Sequence, residues 1–422
     1  MEATDATTVV FNFKEVYSPA YYTIIKQDIF PEHIFSQVDD LTTWANEDPV
    51  GTGPFTEVVL FQDQVYQVDR NPNYWQPGLP AFQGLRMPAF TGNDVAATMF
   101  VNGDTEWTGQ FFPNVQQAVL DQNSDLACYW PTITSDQLFM PNNAVPPLDD
   151  PVVRKAISMG FDREQIILIA LQGASTPSDV TGLSSGYSAW KVDDVASLGD
   201  DWTAYNPDAA NQMLDDAGYV KGDDGIRLNK DGSPIELELL MVNGFTDWLA
   251  VAPLMKQNLE ALGFSITINN YDVPVAFGKW WSGDFDLSLF FGIASDTPYE
   301  FYYNIFSSDL YKPVGENTGM SQNMWRYEGE QQAAADAALA KFASTGDVEV
   351  QKEAILELQQ IMHDEAPVLG MFHAPTFSCF NTARWAGWPS DDNPSGWPMP
   401  IAGANTEPSQ ILTMLSLTYI GE

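Results

Sequence analysis

Residues 235–269 restrict the fold more than any other stretch of this chain. Ile235–Val242 opens Ile-Glu-Leu-Glu-Leu, apolar at every second position, the period of a half-buried strand. Val251, Leu254, Met255, Leu259 and Leu262 then fall at helical spacing, an apolar stripe along one face, and Gly263 offers a stop. Phe264, Ile266 and Ile268 alternate with Ser265, Thr267 and Asn269, a second strand. A helix between two strands carries the chain back, so the second strand can lie parallel to the first; this is a βαβ unit. Phe285–Phe291 adds a third apolar strand. The chain must therefore contain an α/β layer with parallel strands.

Other stretches agree with an α/β or mixed architecture. Asp150 precedes Pro151 as N-cap before N1, and Asp162 stands three residues before Gln165, with Gly173 as a stop. Asn206-Pro207 opens a helix with Ala210, Met213, Leu214 and Ala217 on one face, closed by Gly218. A helical segment, Val348–His363, ends before Pro367, and Val368–Phe372 reads as a buried strand. Near the start, Thr7–Phe13 reads as a strand, and Glu57–Asp69 as a strand-like run broken at Arg70-Asn71-Pro72. There is no internal repeat. At 422 residues, two or three domains are expected.

Charge excludes several partners. The chain carries 57 acidic against 18 basic residues, a formal net charge of −39, while 45% of it is hydrophobic. A phosphate backbone needs clustered Lys and Arg, and an anionic membrane surface repels such a chain. The acidity reads as a solvated surface. Two cysteines, Cys128 and Cys379, rule out a disulfide-rich scaffold or a Cys-based zinc cluster and leave one long-range bridge open. The three histidines share no metal-binding spacing, so no metal or cofactor is expected. No apolar run approaches the ~20 residues of a membrane span, and Met1–Asp5 lacks the features of a signal peptide.

A search for catalytic patterns yields little. Gly182-Leu183-Ser184-Ser185-Gly186 matches G-x-S-x-G, but its flanks are loop-like and that chemistry needs a strand before the serine. Gly51-Thr52-Gly53 is too short for a dinucleotide loop. Asp223-Asp224-Gly225 and Lys230-Asp231-Gly232 bracket what reads as a small hairpin. Paired carboxylates such as Asp193-Asp194 and Asp391-Asp392 are expected by chance in so acidic a chain. The 13 tryptophans stand out more. They fall mostly in loops and at strand ends, and together they suggest a concave site lined by flat rings with few charges.

Several segments together resemble the family 5 extracytoplasmic solute-binding proteins of ABC transporters, the oligopeptide, nickel and cello-oligosaccharide group. They are Gly51-Thr52-Gly53-Pro54-Phe55 with Arg70-Asn71-Pro72-Asn73-Tyr74-Trp75, Asn102-Gly103-Asp104-Thr105-Glu106-Trp107, and Asp150 to Ile157 with Phe161-Asp162-Arg163. Tyr205 to Ala210 with Ala217-Gly218-Tyr219, Gly283 to Leu287 and Glu365 to Val368 also match, in order, over essentially the whole chain.

The resemblance implies an α/β, periplasmic-binding-protein-like fold of type II, cluster C, with two lobes, mixed sheets and a two-crossing hinge. By it, 1–141 plus 376–422 form lobe I and 142–375 form lobe II, with crossings near Met140-Pro141-Asn142 and His373-Ala374-Pro375. Relative to the family, the N-terminal portion of lobe I, with its signal peptide, is expected to be missing. The implied function is to capture a solute between the lobes and deliver it to membrane permease subunits, as a monomer outside the cytoplasm, without catalysis.

An oligosaccharide of the cello-, β-gluco- or xylo-type is favoured as solute. Seven arginines leave few partners for a peptide carboxylate, Arg326 and Arg384 being the expected ones, and Arg384-Trp385-Ala386-Gly387-Trp388-Pro389 to Pro394 resembles the tail of cello-oligosaccharide members. An oligopeptide, met by an acidic residue near Asp296 (or at the places of Ala294 or Ser295), is the alternative; a secreted glycan hydrolase is a third reading. The expected ligand-binding residues are Trp107, Trp130 and Asn142 on the lobe I side or hinge, and Trp280, Phe291, Asp296, Tyr299 and Trp325 on the facing lobe. Trp280 and Trp325 are expected as stacking platforms, and Trp388 as packing beneath the site.

Overall fold

The computed structural model describes residues 1–62, 64–132, 135–293, 295–394, 398–400 and 408–421; Ala294 and Trp397 lie outside them. The chain divides into two compact units. The first comprises Met1–Ile25, Thr132–Asn243 and Trp248–Ala374; the second comprises Lys26–Pro131, Gly244–Asp247 and Pro375–Glu422.

The first unit is built on the predicted βαβ. Strands Glu236–Val242 and Ser265–Tyr271 pair in parallel, in register from Ser265 opposite Glu236 to Tyr271 opposite Val242. The connecting helix, Thr246–Ala261, begins five residues before the apolar stripe and carries Pro253 inside it. Gly263 follows with φ +96°, and a Cβ there would meet Lys221 and Arg227, so the stop needs glycine. Leu287–Phe291 adds itself parallel on the other side of Glu236–Val242. Two antiparallel strands complete the five-stranded sheet: Ser135–Pro141 beside Leu287–Phe291, then Leu369–Ala374 at the edge. Leu138, Phe139, Met140, Leu239, Leu240 and Leu289 are fully buried. A sheet buried on both faces reads as a near-continuous apolar run, as these strands do.

The helix starts follow the sequence signals. The Asp150 carboxylate accepts from the Val152 N–H at 2.9 Å at the head of Pro151–Gly160, and is held by the Tyr219 hydroxyl and Lys230. Asp162 caps Arg163–Ala170 through Gln165, and Asn206 caps Pro207–Asp216 through Ala209. Val348–Glu365 ends on Ala366 in the left-handed region, just before Pro367.

In the second unit, Glu57–Asp69 is not one run. Phe55–Gln62 and Val65–Arg70 form an antiparallel hairpin, with Gly84–Pro88 as the third strand. A second small sheet places Cys379–Asn381 between Trp107–Thr108 and Leu126–Cys128. Cys379 lies opposite Cys128 in that register, and the two form a disulfide, answering the question left open by the sequence.

Some expectations move. Of Thr7–Phe13 only Val9–Val10 pairs, with Glu2–Ala3, and Val9, Phe11 and Phe13 remain exposed, so no core holds a longer strand there. Residues 1–25 group with the first unit: the Ser18 amide donates to Ala343 O at 2.8 Å, and Gln351 reaches the Ser18 hydroxyl. Residues 132–141 group with it too, because Ser135–Pro141 is hydrogen-bonded into its sheet. The two crossings assigned by resemblance fall on paired strands, Met140-Pro141 in Ser135–Pro141 and His373-Ala374 in Leu369–Ala374.

Candidate functional site

In an open α/β sheet, ligands gather at the carboxyl ends of the parallel strands. Here those ends are Val242, Tyr271 and Phe291. Phe291 is 37% exposed, and its ring packs on Trp248 at 5.0 Å between centroids. Asp296 is exposed in the loop that follows. That loop is tied down by Tyr187, whose hydroxyl donates to Ser295 O at 2.8 Å and accepts from the Ser295 amide at 2.7 Å. Burial pushes the Tyr187 phenol up, so it stays a neutral donor.

The other residues expected in this unit have structural work. Trp280 is fully buried among Trp248, Phe277 and Phe290, and its indole N–H donates to Ser288 Oγ at 3.0 Å. Trp325 is fully buried, with its N–H on Ile305 O at 3.3 Å. Neither ring offers a face for stacking, so both platform assignments are corrected to core packing. Tyr299 is 4% exposed and stacks on Phe342 and Tyr303, with burial raising its phenol far above the usual range. Asn142 is sealed. Its amide donates to Gly283 O at 2.9 Å and Phe285 O at 2.8 Å and accepts from Ala144 N, leaving nothing for a ligand.

In the second unit Trp107 is half-buried, edge-on to Trp388, with its N–H on Ser378 Oγ at 3.0 Å. Trp388 stacks flat on Phe380 at 4.9 Å, the packing role expected of it. Trp130 is half-buried against Phe111 and Phe377, and its indole N–H is enclosed without a partner among the described residues. The structure therefore joins Phe291 and Trp280 through Trp248, a residue outside the expected set, and places Trp107 and Trp130 at the second unit's small sheet.

The arginines matter as much as the rings. Arg326, an expected carboxylate partner, is 1% exposed and donates to Trp281 O and Glu316 O, both at 2.8 Å. Arg154 donates to Ala366 O and Leu148 O; Arg163 to Gly370 O, Ser158 O and Thr203 O; Arg227 to Leu262 O and the Asp215 carboxylate. All three are buried, and burial lowers Arg154 and Arg163 to about 10. Arg384, the other expected partner, pairs with Glu106 at 2.8 Å on the surface.

One buried polar cluster lies at the edge of the first unit's sheet. His373 and Asp136 face each other across paired strands, with His373 Nδ1 2.6 Å from Asp136 Oδ1, and the Ser178 hydroxyl bonds to the other carboxylate oxygen. The carboxylate stands between serine and imidazole, so the histidine cannot take the serine proton as a catalytic base would. Ser184 of the G-x-S-x-G motif is 1% exposed, ahead of the short helix Ser185–Trp190, with no strand before it. Among the described residues no group of three His, Cys, Asp or Glu is placed to hold a metal ion, and no helix is long and apolar enough to cross a membrane.

A five-stranded sheet with three parallel strands on one side, continued by the two antiparallel strands Ser135–Pro141 and Leu369–Ala374, has the periplasmic-binding-protein-like fold of type II. Residues 1–312 match the profile of the bacterial extracellular solute-binding proteins, family 5 middle region. The chain belongs to that family. It resembles the glutathione-binding protein GsiB of Escherichia coli (strain K12), 27% identical over 231 residues, covering 52% of this chain and 41% of that protein. GsiB of Shigella boydii serotype 4 is 28% identical over the same length and coverage. The matched region thus spans well under half of these relatives.

The fold is shared with a mannohexaose-bound periplasmic oligopeptide-binding protein from Thermotoga maritima, TM-score 0.84 at 21% identity, covering 97% of this chain and 77% of that one. It is shared too with AppA from Bacillus subtilis in complex with a nonapeptide, TM-score 0.79 at 19% identity, covering 97% and 76%.

Proposed function

We propose that this chain is the solute-binding component of an ABC importer, working outside the cytoplasm as a monomer and handing its cargo to membrane permease subunits. Family membership supports the role. The cargo we assign is an oligosaccharide of the cello-, β-gluco- or xylo-type. One observation carries this: the buried guanidinium groups Arg154, Arg163, Arg227 and Arg326 all donate to the protein's own oxygens, Arg326 through both terminal nitrogens while its Nε keeps no acceptor among the described residues. A peptide carboxylate taken out of water needs a cationic or multiply donating partner, and burying it without one is costly. A neutral sugar needs flat rings and uncharged hydrogen-bonding groups instead. Phe291, Asp296, Trp107 and Trp130 remain the proposed ligand-facing residues; none of their side chains is fully buried.

Oligopeptide remains the second reading, favoured by one feature: Asp296 stands exposed after Phe291, where a peptide ammonium could find a carboxylate. Calorimetry against cello- and xylo-oligosaccharides, mannohexaose, di- to nonapeptides and glutathione separates the two. Binding confined to peptides overturns the sugar assignment. Chromatography of the sugar mixtures after incubation addresses the hydrolase reading, since shortened products would contradict a carrier.

A further inference from the structure

The small sheet of the second unit has an end where three segments meet: residues 109–112 after Trp107–Thr108, 129–131 after Leu126–Cys128, and 376–378 before Cys379–Asn381. They are hydrogen-bonded together, Tyr129 N to Ser378 O at 2.7 Å and Thr376 N to Pro131 O at 2.8 Å. Three rings close the cluster: Trp130 and Phe377 at 5.1 Å, Phe111 and Phe377 at 5.6 Å, Phe111 and Trp130 at 6.0 Å. Gly109 passes so close to Phe377 O and Met399 that a Cβ would collide with the Met399 side chain.

Inside this cluster two buried donors have no acceptor among the described residues. Gln110 is 4% exposed; its Oε1 accepts from the Thr108 hydroxyl, and its Nε2 is enclosed without a partner. Turning the amide over would only move the unpaired end, since Thr108 offers one hydroxyl. Trp130 Nε1 is the second enclosed donor without a partner. Buried polar groups are nearly always paired, and leaving one unpaired is costly. Two uncharged donors beside the half-buried rings of Trp130 and Phe377, in a chain of net charge −39, suit a ligand that is neutral, rich in oxygen acceptors and apolar on one face.

We infer that Gln110 Nε2 and Trp130 Nε1 are donors of a solute subsite, built to receive neutral oxygens of the bound molecule. This rests on the solute-binding reading above. Sugar hydroxyl and ring oxygens are one source of such acceptors, and peptide carbonyls the other.

The test uses the full chain with Gln110→Met, which keeps length without the amide, and Trp130→Phe, which keeps a ring without the N–H. Titrations with cellotetraose, xylotetraose and a blocked neutral tripeptide are paired with thermal unfolding of the ligand-free proteins. Each substitution is expected to weaken the bound class by about tenfold. The ligand-free unfolding midpoint should stay level or rise, because an unpaired buried donor has gone. Loss with sugars assigns the acceptors to sugar; loss with the tripeptide assigns them to carbonyls.

Affinity within twofold of the parent in both variants overturns the inference and leaves the solute-binding reading standing. So does a lowered ligand-free midpoint with unchanged affinity, which would make both groups structural. A parent protein that binds none of the three overturns the subsite and the solute assignment together. Should Gln110→Met fail to fold, Trp130→Phe decides alone.

Discussion

The Cys128–Cys379 bond permits a prediction with a worked magnitude. The two residues are 251 apart in sequence, and removing the cross-link frees a loop of that length in the unfolded chain. The chain-entropy relation puts the loss at about 5.5 kcal/mol for such a loop. That figure assumes both units unfold together. The first unit, however, pins Ser135 opposite Ala374 by sheet pairing. If it survives while the second unit unfolds, the bond closes only about a dozen flexible residues, and the loss falls to about 2.8 kcal/mol.

Urea unfolding of the parent and of Cys128→Ser/Cys379→Ser, followed by tryptophan fluorescence and by far-ultraviolet circular dichroism, separates the cases. With a slope of about 3 kcal/mol/M, the transition moves down by about 1.8 M or about 0.9 M respectively. In the second case the two signals also part, with the sheet-bearing unit unfolding later. A shift below about 0.2 M refutes the reasoning outright, as does the appearance of two free thiols in unreduced, denatured parent protein.

Trp280→Ala is expected to act on stability, lowering it by about 3–5 kcal/mol through the cavity it leaves among Trp248, Phe277 and Phe290; a large affinity loss at unchanged denaturant midpoint would contradict core packing. Asp150→Ala removes the cap of Pro151–Gly160 and the partner of Tyr219 and Lys230, and should cost about 1–2 kcal/mol by the same measurement. For His373, burial disfavours the charged ring, but the hydrogen bond and charge of Asp136 outweigh it and raise the imidazole above its usual value. A raised value means the histidine's side of the pair is fully charged below about pH 6.5 and its contribution fades as pH rises through the raised value, while burial raises the Asp136 carboxyl and limits the pair from the acid side. The thermal midpoint should therefore decline across that interval in the parent and lose this component in His373→Gln; equal pH profiles in the two proteins would contradict it.

Much of the first unit was legible because its signals are local. A strand of period two, a stripe at helical spacing and a glycine at the turn lie within 35 neighbouring residues, 235–269, and the structure pairs the two strands over their whole length. Helix caps such as Asp150 and Asn206 are equally local, one side chain and one amide two or three residues away. The hairpin hidden in Glu57–Asp69 was not, since alternation passes through its turn without a strong breaker. Site residues were least legible. Trp280 in a sequence looks like any tryptophan near a glycine; only the sheet behind it shows that Ser288 takes its N–H. Gln110 carried no motif at all. An unpaired amide is a property of what surrounds it, and pattern reading has no access to that.

The internal placement of Arg154, Arg163, Arg227 and Arg326 also shapes how the molecule meets its surroundings. Cations sealed against backbone carbonyls are hidden from direct contact with approaching solutes, so a surface of net charge −39 offers fewer touchable basic groups than the count of 18 implies. Diffusing anions are turned away and cations drawn in, both less so as ionic strength rises. Capture of an uncharged solute should proceed at a rate almost indifferent to salt, while a dianionic one should associate faster as salt is added.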